Sequence, residues 1–312
     1  MAVILIVSTN PTVDSTIGVP VLVPHQVHRA VSLRISAGGK GINVGRACKT
    51  LGESYLVSGF LGGSSGQLLQ RLTAQENIAT SWLKFDDLET KMSHLLRHSQ
   101  GDSTVINEPG PTLSKSHWQE LASFILEQGT QSQAAIFAGS VPPGVSAKDY
   151  RQLCVHLAQQ VGPTLVDTPG DTLKAIIAAP QGLAIKVNRD ELSDALNMSV
   201  SNLEEVIEAA SCVFKRGASL VCVTMGEGGA VALNAKGIWR CSYSIDHVVS
   251  SVGSGDSFSA GLGLHCSRHL PLPEALRWAS ACGAANAETE LPAVFTLERV
   301  KALLPLIKIE KL

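Results

Sequence analysis

The residues best suited to do chemistry lie near the end of the chain, in the stretch SSVGSGDSFSAGLGL at 250–264. A glycine-rich turn, Gly253-Ser254-Gly255, is followed at once by Asp256 and then by small and apolar residues at helical spacing. If a helix begins here, its first N–H groups have no partners within the helix and, with the helix dipole, they form a site for an anion. A carboxylate there makes sense as a base that takes a proton from an attacking hydroxyl. An ordinary helix N-terminus with an acidic first turn is the alternative interpretation.

A second glycine-rich turn lies near the start of the chain, in SAGGKGINVGRACKTLG at 36–52. Gly39 and Lys40 lie in the turn, and Asn43 follows among apolar residues at helical spacing. In the functional interpretation, the turn brings the ammonium group of Lys40 and the amide of Asn43 to a polar ligand. A plain loop-to-helix junction is the alternative. The segment is not a Walker A loop, and the chain contains no strict GxGxxG. Both absences argue against a P-loop NTPase and a Rossmann dehydrogenase.

The composition shows no excess of positive charge, so any anionic ligand must be bound by local groups. Of its 312 residues 45% are hydrophobic and 17% are charged, and the net charge of −2 indicates neither a nucleic-acid nor an anionic-membrane partner. Seven scattered cysteines without a CxxC pair predict neither a disulfide framework nor a zinc site. The apolar N-terminal run is too short for a signal or a membrane span. We therefore expect a cytoplasmic protein.

The elements that must position these residues alternate along most of the chain. Residues 3–8 form an apolar, β-branched run that is typical of a buried strand. Further strands are predicted at 55–62, 134–138, 164–167, 183–187 and 219–224, and a hairpin is predicted at about 230–243. Helices are predicted at 64–75, 114–128, 146–160, 171–178, 202–215, 273–288 and 297–304, with a capping box of Ser201 and Glu204. This alternation predicts an α/β fold with a mainly parallel sheet and helices on both faces.

Two polar segments interrupt the alternation, at about 12–35 and 88–112. Both alternate in the manner of short exposed strands, and Gly101-Asp102 is a plausible hairpin turn within the second. The chain has no internal repeat and no low-complexity linker. We therefore expect one domain, residues 1–312, in which the two segments form a small β flap beside the sheet.

Polar residues or glycines follow several of the predicted strands. They are Asp14, Gly139-Ser140, Asp167, Lys186 with Asn188, Thr224 with Gly226, and the 253–256 turn. Because the carboxyl ends of parallel strands share one edge of a sheet, we expect these groups to converge in one cleft.

The two glycine-rich segments resemble, in order and spacing, the two signatures of the PfkB (ribokinase-like) carbohydrate kinases, and the resemblance covers essentially the whole chain. Five further segments are similar to the branch that contains 1-phosphofructokinases and tagatose-6-phosphate kinases: TNPTVD, VINEPGP, GSVPPGV, KVNRDEL and VTMGEGGAVAL. The resemblance implies a ribokinase-like three-layer α/β/α fold with a mainly parallel central sheet and a small β lid. It also implies a kinase that uses ATP and Mg²⁺.

The resemblance implies a role for each matching residue. Asp256 is the base that deprotonates a sugar hydroxyl for in-line attack on the γ-phosphate of ATP. Around that phosphate, the anion hole consists of the N–H groups of Gly253, Ser254 and Gly255. The substrate-binding residues are Asp14, Gly39 and Asn43 for sugar hydroxyls, with Lys40 and Lys91 facing the phosphate already on the sugar.

The nucleotide side follows from the same resemblance. The residues that line the nucleotide are Lys186, Thr224, Gly226 and Gly229, with Asn286 near the adenine and Gly253 and Gly255 at the phosphates. Asn188 and Glu191, the family's NxxE, order Mg²⁺ and its waters. For Lys186, Thr224 and Asn286, ordinary loop or helix-end positions are the alternative interpretation.

This chain departs from the usual pattern of the branch at a few positions. Thr90-Lys91 stands where Thr-Arg is usual, and lysine keeps the charge but loses the bidentate fork that suits phosphate. Ser254 replaces an alanine, which matters little because the backbone N–H does the binding. Gly45 and Gly263 replace less flexible residues, each at a cost of up to about 1 kcal/mol of helix stability.

Three functional hypotheses follow. The leading one is a kinase that converts fructose 1-phosphate or tagatose 6-phosphate to the 1,6-bisphosphate. The second is a kinase of the same family that acts on an unphosphorylated sugar or a nucleoside, and Lys91 discriminates between these two. The third is a non-catalytic sensor of sugars or nucleotides, which has no need of Asp256. The expected assembly is a monomer or a homodimer that pairs through the lid.

Overall fold

The elements of the computed structural model, which describes residues 3–98, 103–243 and 247–312, follow the predicted alternation. The strands are β1 (Val3–Ser8), β2 (Thr12–Gly18), β3 (Ser32–Gly38), β4 (Ser54–Gly62), β5 (Thr80–Phe85), β6 (Lys91–Arg97), β7 (Ser103–Asn107), β8 (Ala134–Ala138), β9 (Thr164–Asp167), β10 (Ala184–Asn188), β11 (Leu220–Thr224), β12 (Ala230–Asn234), β13 (Gly237–Ser242) and β14 (Lys308–Lys311). The helices are α1 (Lys40–Thr50), α2 (Gly63–Gln75), α3 (Lys115–Gly129), α4 (Ala147–Val161), α5 (Gly170–Ala178), α6 (Arg189–Leu196), α7 (Leu203–Lys215), α8 (Ser254–Ser267), α9 (Leu272–Ala287) and α10 (Leu297–Leu303). The predicted turn at Gly101-Asp102 lies outside the described residues.

The large sheet has ten strands in the part of the chain that the structure describes. Seven are parallel, in the order β5-β4-β1-β8-β9-β10-β11, and β12, β13 and β14 extend one edge in antiparallel fashion. On β1, Ile4 and Ile6 enter a core shared with α1, α8 and α9, whereas Leu5 and Val7 enter a core shared with α3 to α7. Helices therefore cover both faces, and the predicted three-layer α/β/α fold is confirmed.

A second, smaller sheet of four strands stands beside the large one, in the order β3-β2-β6-β7. β2 pairs antiparallel with β3 and parallel with β6, so Asp14 lies between Ser36 and Ser93 in the register. Arg97 on β6 donates a 3.1 Å hydrogen bond to the backbone oxygen of Glu290, in the loop after α9. The small sheet is thus tied to the body of the molecule near the end of α9.

Two strands and one helix were absent from the sequence-based prediction. β5 is mostly half-buried and β14 is only four residues long, so neither shows clear periodicity. α6 has eight residues and begins immediately after β10. The predicted capping box of Ser201 and Glu204 is wrong, because the N-cap of α7 is Asn202, whose side chain accepts the Glu205 N–H at 2.9 Å.

All seven cysteines are free, and six of them are buried. The exception, Cys212 on α7, is partly exposed. Burial raises the pKa of the buried thiols, that of Cys266 to about 12. No helix in the described ranges is long and apolar enough to cross a membrane.

Candidate active site

The turn before α8 has the conformation that only glycine adopts easily. Gly253 is the N-cap with φ of +83°, and a Cβ on it would lie 2.7 Å from Cα of Pro292. The Ser254 N–H donates to the Ser251 carbonyl at 3.1 Å, so this member of the predicted anion hole has a partner within the turn. The following N–H groups, on Gly255 and Asp256, belong to the first turn, where a helix offers no acceptor.

Asp256 lies in the first turn of α8 and is only 7% exposed. Its Oδ2 accepts a 2.7 Å hydrogen bond from Nδ2 of Asn43 on α1. Burial raises the pKa of Asp256, while the ammonium groups of Lys40 and Lys186 and the hydrogen bond from Asn43 counteract that rise. The carboxylate thus has one oxygen held in place and is more basic than an exposed aspartate.

Asp167, at the end of β9, joins the two predicted lysines. Its Oδ1 accepts from Nζ of Lys40 at 2.8 Å, and its Oδ2 accepts from Nζ of Lys186 at 2.9 Å and from Oγ of Ser259 at 2.8 Å. Burial alone would raise the pKa of Asp167, but the two ammonium groups hold it well below its ordinary value. Lys186 is 4% exposed and lies beneath the turn, its Nζ 3.0 Å from the position of a Cβ on Gly255.

The predicted substrate-binding residues line one open cavity of about 740 Å³ together with Asp256. They are Asp14, Gly39, Lys40, Asn43 and Lys91. Burial raises the pKa of Asp14 to about 6, against the attraction of the Arg46 and Lys91 cations. Burial also lowers the pKa of Lys91, with the carboxylates of Asp14 and Glu108 opposing the change. Carboxylates, an amide and two ammonium groups therefore face the same space.

The pair of the NxxE motif forms the N-terminus of α6. Asn188 is the N-cap; its Oδ1 accepts the Glu191 N–H at 2.8 Å, and the Asn188 N–H donates to Oε2 of Glu191 at 3.1 Å. Asn188 is also the register neighbour of Thr224 on β11. Asn188 and Glu191 therefore form a capping box, which leaves the second carboxylate oxygen of Glu191 outside the box.

The remaining nucleotide-side residues lie at two separate places. Gly226 and Gly229 flank the turn after β11 with φ of +58° and +83°, and a Cβ on Gly229 would lie 2.0 Å from the Cys241 carbonyl oxygen. Asn286 on α9 is fully buried, and its Nδ2 donates at 2.9 Å both to the Val252 carbonyl and to Oγ of Ser254. Its Oδ1 accepts the Ala293 N–H. Asn286 thus supports the glycine turn from behind.

No group of three His, Cys, Asp or Glu residues within the described ranges is placed to hold a metal ion. Mg²⁺ commonly binds proteins through one or two carboxylates, with water and phosphate oxygens completing its shell. The donor set here, Glu191 with Asn188 beside it, fits that mode of binding and does not form an all-protein cage. Glu191 is also close enough to Lys40 to raise the pKa of that lysine, together with Asp167 and Asp256 and against the effect of burial.

Two residues of the site received no role from the sequence. Asp167 was one of the polar strand ends, but nothing in the sequence indicated that it would neutralise two lysines that lie far from each other along the chain. Arg46 follows Asn43 by three residues, which places both on one side of α1. Its Nη1 donates to Oδ1 of Asn43 at 2.8 Å. The i, i+3 spacing was the available signal for Arg46.

With this geometry in view, comparisons with known proteins identify the family. The profile of the pfkB family carbohydrate kinases matches residues 7–296, and the chain belongs to this family. It is 32% identical over 287 residues to a tagatose-6-phosphate kinase of Staphylococcus epidermidis, covering 91% of this chain and 92% of that one. It is 30% identical over 310 residues to a 1-phosphofructokinase of Bacillus subtilis, covering 98% and 99% of the two chains.

Solved structures agree with this assignment. Phosphofructokinase-2 from Escherichia coli, in complex with fructose-6-phosphate, superposes with a TM-score of 0.89 at 25% identity, covering 98% of this chain and 99% of that one. A possible 1-phosphofructokinase from Thermotoga maritima superposes with a TM-score of 0.87 at 21% identity, which shows a common fold. The predicted ribokinase-like fold and PfkB family are both confirmed.

Proposed function

We propose that this protein is an ATP-dependent kinase that phosphorylates a hydroxyl of a ketohexose monophosphate and yields the 1,6-bisphosphate. The observation that carries the proposal is the single cavity in which a buried carboxylate, Asp256, adjoins the polar residues of the first glycine turn and Lys91. Fructose 1-phosphate and tagatose 6-phosphate are the candidate acceptors, in line with the names of the relatives.

In the proposed reaction Asp256 takes the proton of the attacking hydroxyl. The hydroxyl oxygen bonds to the γ-phosphorus, the bond from phosphorus to the bridging oxygen breaks, and ADP leaves. The turn of Gly253, Ser254 and Gly255 stabilises the charge on the transferring group through those of its N–H groups that have no partner within the turn. Asn43 keeps Asp256 oriented, and Lys40 provides positive charge beside it.

The acceptor and the nucleotide occupy different parts of the proposed site. On the acceptor side, Asp14, Gly39 and Asn43 bind sugar hydroxyls, with Lys40 and Lys91 near the phosphate. Along the nucleotide lie Thr224, Gly226 and Gly229, whereas Lys186 and Asn286 act from beneath the turn. Asn188 and Glu191 would hold Mg²⁺ through water, and the bound ion would supply positive charge near the phosphates.

We further propose that the small sheet acts as a lid over the acceptor in a one-domain kinase. Its inner face carries Asp14 and Lys91 to the cavity, and Arg97 ties its far end to Glu290. A closed lid excludes water, which would otherwise accept the phosphoryl group.

The test is an ADP-release assay with wild type and Asp256→Asn across free sugars, nucleosides and sugar phosphates. We expect turnover with a ketohexose monophosphate, little ADP release without sugar, and a loss of about 10²- to 10⁴-fold in kcat for Asp256→Asn, with ATP binding retained. Wild-type turnover in Asp256→Asn would refute the role of the base. A preference for a free sugar or nucleoside would refute the proposed acceptor, and ADP release without sugar at the kinase rate would refute the lid.

Lys91 distinguishes a phosphorylated acceptor from a free sugar. A charge-assisted hydrogen bond to phosphate is worth about 1.5–3 kcal/mol, so Lys91→Ala is expected to raise the KM for the sugar phosphate about 10- to 100-fold. The KM for ATP should change little, and Lys91→Arg should keep or improve acceptor binding because it restores the bidentate fork. Equal effects on both substrates, measured in the same assay, would contradict the sugar-phosphate acceptor.

A further inference from the structure

Arg46 connects Asn43, the hydrogen-bond donor to Asp256, with Glu76 at the end of α2. Its Nε and Nη2 donate to Oε2 and Oε1 of Glu76, at 2.5 and 2.8 Å, and Nη2 also donates to the Ala37 carbonyl. Nη1 donates to Oδ1 of Asn43 at 2.8 Å. The Arg46 side chain is 10% exposed and that of Glu76 35% exposed, so the fork lies mostly out of solvent. Glu76 immediately follows α2 and fixes the guanidinium from the side opposite Asn43.

This arrangement determines which way the Asn43 amide faces. A guanidinium group has donors and no acceptor, so the amide oxygen must point to Arg46. The amide NH₂ group then faces Oδ2 of Asp256, the partner that can only accept while ionised. Without the guanidinium, the amide oxygen of Asn43 loses its charged donor, and only the hydrogen bond to Asp256 is left to orient the amide.

We infer that Arg46 and Glu76 are a positioning pair for Asp256, acting through the Asn43 amide. The inference deepens the proposed function and rests on it, since it concerns the same base. Arg46 itself does not touch the reacting atoms. Its effect is to hold one oxygen of Asp256 in a hydrogen bond, so that the other oxygen is available to the acceptor hydroxyl.

The pH dependence gives this role a signature. The charged groups that face Asp256 are Lys40 from α1, Asp167 from β9, Lys186 from β10 and Asp14 from β2. Replacing Arg46 removes none of these groups, whereas the Asn43 hydrogen bond, which lowers the pKa of Asp256, loses its support from Arg46 and is expected to weaken. The pKa of Asp256 should therefore rise in Arg46→Met, and the acidic limb of the kcat–pH profile should move to higher pH.

A second carboxylate in the cavity must be separated from this effect. Asp14 faces Arg46, Lys91 and Asp256, and Arg46 lowers its pKa directly. Arg46→Met therefore raises the pKa of Asp14 whether or not Asn43 is present. Only the change at Asp256 should depend on Asn43, and a double-mutant cycle with Asn43→Ala isolates it.

The experiment compares wild type, Arg46→Met, Asn43→Ala and the double variant. We expect Arg46→Met to lower kcat about 10- to 100-fold, the size of effect that a misplaced catalytic group produces, with little change in the KM for ATP. Glu76→Gln should act in the same direction with smaller effect. In the Asn43→Ala background Arg46→Met should add almost nothing to the loss of kcat. Full additivity of the two losses would overturn the inference.

A structural control and a measurement without turnover complete the design. Arg268→Met breaks another Arg–Glu pair, with Glu53, at the far end of α8, and it should lower stability while kcat stays normal. Carbon-13 NMR of labelled aspartates, with Asp256→Asn for assignment, reports the pKa of Asp256 directly. If Arg46→Met leaves this pKa and kcat unchanged in an active enzyme, the inference fails. If wild type phosphorylates no sugar but the pKa still depends on Arg46 through Asn43, the proposed function fails and the positioning role stands.

Discussion

At the scale of single residues, the site contains carboxylates whose pKa values are shifted in opposite directions by their surroundings. Asp167 is neutralised by two ammonium groups and keeps a low pKa, whereas burial raises the pKa of Asp14 and Asp256. A raised pKa makes a carboxylate more basic, and this favours the proposed role of Asp256 as the proton acceptor. Asp167 instead serves as the fixed counter-charge that keeps Lys40 and Lys186 in place.

Asp14 is expected to make acceptor binding depend on pH. As pH falls below about 6 its carboxylate becomes protonated and accepts hydroxyl hydrogens less well, so affinity should fall by up to about tenfold per unit. The acceptor's own phosphate titrates in the same range, so the comparison with Asp14→Asn carries the test. Titration calorimetry of the acceptor between pH 5 and about 7.5 should show a steeper decline for wild type. Parallel curves for the two proteins would contradict the prediction.

At the scale of elements, the carboxyl ends of the parallel strands and the N-termini of α1, α6 and α8 form the site. The turn before α8 is constrained from two sides, because Pro292 lies against Gly253 and Asn286 holds the turn from behind. A backbone held from two sides keeps its N–H groups aimed at one point. Such preorganisation is what stabilisation of a transferring phosphoryl group requires.

Gly253→Ala tests this constraint, and Gly52→Ala is its matched control. Both positions have positive φ, +83° and +72°, but a Cβ on Gly52 meets nothing within 4 Å. We expect Gly52→Ala to cost about 1 kcal/mol and to leave kcat normal, whereas Gly253→Ala costs up to about 3 kcal/mol and lowers kcat at least tenfold. Urea unfolding and the kinase assay measure the two effects. Similar kcat values for both variants would argue against a rigid turn.

Much of this architecture was predictable, for a physical reason that differs from element to element. β1 and β8 are buried on both faces, and their short, continuous apolar runs are typical of buried strands. Long amphipathic helices such as α4 have apolar residues at helical spacing. Positions at strand ends predicted the cleft, and the helix α1 already carried Asn43. The contacts that decide the electrostatics were not predictable, because they join residues far apart in sequence. Asp167 meets Lys40, 127 positions away, and Arg46 meets Glu76, 30 positions away.

At the scale of the whole molecule, the small sheet has exposed apolar side chains on the face opposite Asp14. Alternation along the paired strands puts Leu33 and Ile106 on this face, and they are 65% and 53% exposed. Both side chains are therefore available for contact with another chain. We propose that two chains pair through their small sheets.

The prediction is a dimer that dissociates when this face is charged. Sedimentation equilibrium of the wild type should give twice the chain mass, and Leu33→Asp with Ile106→Asp should give a monomer. Leu306→Asp is the control, since Leu306 is 56% exposed in the turn before β14 and lies outside the small sheet. A wild type that is monomeric at micromolar concentration would exclude this assembly.

The reaction rates of the buried cysteines can report how often the core of the molecule opens. Cys48 and Cys282 lie in one core layer and Cys154 in the other, so a thiol reagent reaches each only when that layer opens. Cys212 should react at once and calibrate the reagent. The slower phases then report how often each side of the sheet becomes accessible. A bound nucleotide should slow the reaction of the cysteines in the layer that contains α8 more than that of Cys154 in the opposite layer.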